Sequence, residues 1–73
     1  MPRLPVVKPK DLIKFFRKNG FKVARQTGSH VRLHHGDGRK ITIAVHNRPL
    51  KKGTLRAILR QAEMTVEELL KGL

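Results

Sequence analysis

A small α+β domain, in which helices pack on one face of a three-stranded antiparallel sheet, is what the sequence predicts. Three observations lead there. Apolar residues recur at helical spacing near both ends of the chain, three short runs between them alternate with period two, and glycine-bearing turns lie between those runs. A chain of 73 residues has room for one core, stabilised by only a few kcal/mol net.

Residues 1–8 read as an N-terminal tail and 9–73 as a single domain. In KPKDLIKFFRKNG, Pro9 suits a first helical turn, Asp11 the positive end of the dipole and Lys18 the negative end. Leu12, Ile13 and Phe16 make the apolar stripe, Lys10, Lys14 and Lys18 recur every four residues elsewhere on the helix, and Gly20 suits a left-handed closing position. FKVARQT then alternates, Phe21 and Val23 against Lys22 and Ala24, up to the turn Gly28-Ser29. HVRLHH alternates again, and Gly36-Asp37-Gly38 is a second hairpin signal. KITIAV places Ile41, Ile43 and Val45 on one face of a third strand. After the loop HNRPLKKG, Leu55, Ile58, Leu59 and Ala62 return to helical spacing, with the start at Lys52 or Thr54 left open. Thr65 with Glu68 forms a capping box opening VEELLK, which Gly72 closes. The order is α-β-β-β-α-α, without repeats or linkers.

Composition narrows the function. Lys and Arg number 17 against five Asp and Glu, a net charge of +12. Such a field repels itself, and a polyanion would relieve it; solubility alone needs a charge of only about 2 to 8. Nucleic acid is the first candidate partner and an acidic protein the second. No helix shows the broad exposed apolar face that a membrane surface would need. There is no cysteine, which fits a reducing compartment and removes thiolate zinc sites. MPRLPVV is too short, and too soon followed by lysines, for a signal peptide or a membrane span. A soluble cytoplasmic protein is expected.

The stretch TGSHVRLHH concentrates the chemistry. Alternation puts His30, Arg32 and His34 on one face of the second strand, while Val31 and Leu33 take the face that packs on the helices. Ser29 and His30 point to opposite faces, as do His34 and His35, so neither a nucleophile pair nor a metal clamp results. Carboxylates are few, and Glu67 and Glu68 belong to the last helix and its cap. An imidazole acting on a substrate gathered by cations remains. RNA suits it, because the 2′-hydroxyl is an internal nucleophile and needs only proton transfer and charge stabilisation. His34 is about 13 Å along the strand from His30, too far to share a phosphate, whereas Arg32 is about 7 Å away and Arg25 approaches from the first strand. One imidazole assisted by guanidinium groups is favoured, without metal or other cofactor. His46 reads as a solvated turn residue rather than a second catalyst.

Binding falls to Lys51 and Lys52, before the second helix where free N–H groups favour phosphate, and to Arg56 and Arg60 one and two turns on. There is no Tyr or Trp, and the three phenylalanines lie in the first helix or at the start of the first strand. The sheet therefore lacks a platform for stacking bases, and recognition is expected through phosphates and shape.

KNGFKVARQTGSHVRL, ITIAVH and LKKGTLRAILRQAEMTVEELL together resemble the HicA toxins of HicA–HicB toxin–antitoxin pairs. The resemblance covers nearly everything after the tail. It implies a fold like the double-stranded-RNA-binding domain and an endoribonuclease that cuts mRNA and blocks translation. It also implies catalysis by the histidine of a Gly-Ser-His motif, here Gly28-Ser29-His30, and a HicB-type antitoxin as partner. Two departures bear on the mouth of the site: Ala44-Val45-His46 lacks the proline of the family's Val-Pro-x-His, and Arg48-Pro49-Leu50 is an unusual loop. The alternative function is a non-catalytic double-stranded-RNA-binding module in which His30 only touches phosphate or ribose. A third class is a structural protein whose positive surface serves an acidic protein alone.

Overall fold

The computed structural model describes residues 3–73 of the chain. Its order is α1 (Pro9–Lys18), β1 (Phe21–Thr27), β2 (His30–His35), β3 (Lys40–Ala44), α2 (Lys52–Gln61) and α3 (Val66–Gly72). The strands form one antiparallel sheet in the order β1-β2-β3, a small α+β fold consistent with the double-stranded-RNA-binding kind that the resemblance implies. Val31, Leu33, Ile41 and Ile43 of the sheet are buried with Leu12, Phe15 and Phe16 of α1, Leu55, Ile58 and Leu59 of α2, and Leu69 of α3. Their neighbours Arg32 and Thr42 are exposed, so one face of the sheet is roofed by helices and the other is open.

Local chemistry sets the boundaries. Pro9 opens α1, where a missing N–H costs nothing. Gly20 closes it with φ +93°, and a Cβ there would meet Nε2 of His35 at 2.7 Å, so the position needs glycine on two counts. The β1–β2 hairpin turns through Gly28 (φ +59°) and Ser29, between the paired residues Thr27 and His30. Positive φ at the first central residue alone suits a II′ turn, whose twist matches the strands. α2 begins at Lys52. Thr65 and Glu68 complete the capping box of α3: the Glu68 N–H donates to Oγ1 of Thr65 at 3.1 Å, and the Thr65 N–H donates to the Glu68 carboxylate at 2.9 Å.

Four details differ from the sequence reading. Phe15 joins Phe16 in the core, its ring edge-on to Phe16, which in turn meets Phe21. β3 ends at Ala44, with Val45 partly buried beyond it. Gly72 lies inside α3, and a Cβ on it would stand 2.5 Å from the Phe15 ring; glycine is there for close approach between helices, not for a turn. Alternation in β1 breaks at a bulge between Val23 and Arg25. Phe21 is the only buried residue of that strand, and Val23 stays 46% exposed.

Arg39 ties the β2–β3 turn to the rest. Its guanidinium lies 5.1 Å over the Phe21 ring, holds the Asp37 carboxylate through Nε at 2.8 Å, and donates to the Ala62 carbonyl at the end of α2.

Candidate active site

The bulge decides what the open face carries. In an unbroken β1, Arg25 and Thr27 would follow Phe21 and Val23 toward the helices. Leaving Ala24 unpaired reverses the alternation. Arg25 then stands opposite Arg32 and Thr27 opposite His30, while on the other side His30 pairs with Ala44 and Arg32 with Thr42. Directly paired residues share a face. Lys22, His34 and Lys40 extend the row at the far end, and no carboxylate belongs to it.

Arg25, Thr27, His30, Arg32 and Thr42 line a hollow of about 320 Å³ on this face. A second cleft of about 520 Å³ adjoins it around the edge of β3. Its walls include His30 and Thr42 again, with Ala44, His46, Lys51 and Thr54. His30 and Thr42 are therefore a common rim, and the imidazole has an open hollow on either flank. His30 is exposed, and no hydrogen bond among the described residues engages its ring. Such a nitrogen is free to meet a substrate, with guanidinium groups on its own strand and on the neighbour to neutralise a phosphate.

The other predicted site residues distribute as follows. Gly28 and Ser29 form the hairpin turn that starts β2 at His30; the Ser29 carbonyl accepts the Val45 N–H at 2.6 Å, which continues the ladder one step past β3. Lys51 reaches the second cleft together with His30. Lys52, Arg56 and Arg60 are exposed along α2 but line neither hollow. His34 also lies outside both; its Nε2 is shielded from solvent and has no hydrogen-bond partner among the described residues. Among those residues no three His, Cys, Asp or Glu side chains converge, and no helix is long and apolar enough to cross a membrane.

Thr27, Thr42 and the loop residues His46 and Arg48 also border the hollows. Thr42 was within reach of sequence reasoning, since it sits between the inward Ile41 and Ile43. Thr27 was not, because the bulge reverses its side.

Comparison with known proteins identifies one family. The family model described as HicA toxin of bacterial toxin-antitoxin matches residues 9–64, from the start of α1 to just past α2, and so takes in both hollows. No curated protein matches the chain.

Proposed function

Since the chain belongs to the HicA toxin family of bacterial toxin–antitoxin systems, we propose that it is an endoribonuclease whose His30 transfers a proton during cleavage of mRNA. The observation that carries the proposal is one exposed imidazole beside the paired Arg25 and Arg32 on a sheet face without carboxylates.

The reaction asks for three things, and the face supplies each. The 2′-hydroxyl of the bound strand must lose its proton as it attacks phosphorus, and an imidazole is suited to such transfer at neutral pH, contributing typically about 10²- to 10⁴-fold. Negative charge accumulates on the phosphorane oxygens, and the two guanidinium groups are placed to take it. The strand must also stay put while this happens. Lys51 at the second cleft, with Lys52, Arg56 and Arg60 along α2, holds backbone phosphates, and the start of α2 adds unpaired N–H groups. The absence of Tyr and Trp leaves no base-stacking surface, so affinity runs through charge and shape. No step requires a metal ion. Membership of the family gives the chain an antitoxin partner, and a HicB-type protein bearing carboxylates would complement the basic face.

The test is cleavage of RNA in EDTA by the wild type and by His30→Ala. The mutant should lose cleavage by two to four orders of magnitude and keep its RNA affinity, since the arginines and lysines remain. Equal behaviour of the two proteins would leave an RNA-binding module without catalysis.

A further inference from the structure

We propose that His46 is a second catalytic residue, giving a proton to the leaving oxygen while His30 takes one from the nucleophile. The inference rests on the endoribonuclease reading above and adds to it the missing partner in proton transfer.

Register brings the two rings together. His30 pairs directly with Ala44, the last residue of β3. The Val45 N–H still bonds to the Ser29 carbonyl at 2.6 Å, so the ladder carries on past the end of the strand. Val45 turns inward and is partly buried against the core. Continued two positions beyond Ala44, the same spacing would make His46 the diagonal neighbour of His30, with about 7–8 Å between their backbones, and the two residues do line one cleft. That distance is roughly half the separation between His30 and His34 along β2, and two imidazole rings can flank one phosphate across it. Both histidines, with Lys51 between the loop and α2, line the same cleft of about 520 Å³.

The surroundings divide the roles. The Arg48 backbone N–H donates to Nδ1 of His46 at 3.2 Å, which orients the ring and, in its neutral form, puts the hydrogen on Nε2. Among the described residues His30 accepts no such bond. On its other side His46 borders a smaller cavity of about 180 Å³ with Lys8, Lys10 and Asp11. A carboxylate thus lines a cavity at His46, beside two lysines, whereas neither hollow at His30 is lined by one.

The step balances without a co-reactant. His30 accepts the 2′-hydroxyl proton as the 2′-oxygen bonds to phosphorus. The bond from phosphorus to the 5′-oxygen breaks, and that oxygen takes a proton from the charged His46 ring. The products are a 2′,3′-cyclic phosphate and a 5′-hydroxyl. Proton exchange with water resets both rings, and His46 recovers its bond from Arg48.

The deciding experiment compares a natural RNA with one whose scissile linkage carries sulfur in place of the 5′-oxygen, because a thiolate departs without being protonated. His46→Ala should cleave the natural RNA about 10²- to 10⁴-fold more slowly than wild type and the sulfur-linked RNA within a few-fold of it. His30→Ala should be slow on both. Circular dichroism and RNA affinity establish that each variant is folded, and His46→Gln replaces the alanine variant if that fails. Natural RNA cleaved at the wild-type rate by a His46 variant overturns the assignment, as does equal impairment on both substrates. A wild type inactive on both RNAs overturns the nuclease reading itself, and this inference with it.

Discussion

Asp37 shows how much one turn residue can organise on so small a protein. Its Oδ1 accepts the Arg39 backbone N–H at 3.1 Å and lies 3.0 Å from Nδ1 of His35, and its Oδ2 accepts Nε–H of Arg39 at 2.8 Å. The Arg39 N–H has the largest effect; desolvation comes second and opposes it, and the Arg39 guanidinium and then the nearby His35 add to the first, so the Asp37 carboxyl lies below its ordinary 3.8. A depressed carboxyl pKa stabilises the folded state above the unfolded value, and that contribution disappears as pH falls through the folded one. The turn should therefore hold at pH 5 and loosen below about pH 4. Carboxyl NMR should place the Asp37 midpoint under 3.8, and Arg39→Ala should raise it only part of the way because the backbone N–H stays. A wild-type midpoint at or above the ordinary value would contradict this account. Individual residues were legible where their roles are local: His30 on the open face, Gly20 at the helix end, and Thr65 with Glu68 at the cap. Gly72 was not, because its reason is a ring fifty-seven positions earlier, Phe15.

At the scale of elements, the bulge in β1 is the feature on which the site depends. The pairs on either side of it are regular, Val23 with Leu33 and Arg25 with Arg32. Deleting Ala24 alone should therefore leave every other β1–β2 pair in place, with Arg25 still beside Arg32. RNA affinity of that variant is expected within a few-fold of wild type, measured by titration, while deletion of Gln26 would close the bulge with Thr27 still opposite His30 but Arg25 opposite the inward Val31, and so weaken cleavage. A loss of affinity on removing Ala24 as large as that of Arg25→Ala would show that the bulge does more than set the side. Helices and strands could be located in the sequence because each has its own apolar period. The bulge could not be found there: neither glycine nor proline marks it, and it is visible only when β1 is laid against β2. The second cleft was hidden for a similar reason, since it joins β2, the loop after β3 and the start of α2.

For the whole molecule, charge outweighs every single contact. A net +12 sits on a body of 33 × 28 × 18 Å, and neighbouring cations lie within the Debye length of about 8 Å at physiological salt. Self-repulsion should make the free protein more stable as salt screens it, so its Tm should climb between 20 and 300 mM potassium chloride, values chosen on the order of the range over which the Debye length falls severalfold. RNA affinity should move the opposite way. If Lys51, Lys52, Arg56 and Arg60 each meet one phosphate, removing any of them should flatten the log–log salt slope by about 0.7 on a single strand. A Tm independent of salt would mean that the repulsion is already relieved within the fold.

The rim formed by His30 and Thr42 has one more implication. A ring open on both flanks cannot be silenced from one side: a small competitor that plugs the arginine-lined hollow leaves the other approach usable. Whatever holds this toxin in check by masking must straddle that ridge, resting on the sheet and on the loop beyond its edge at once.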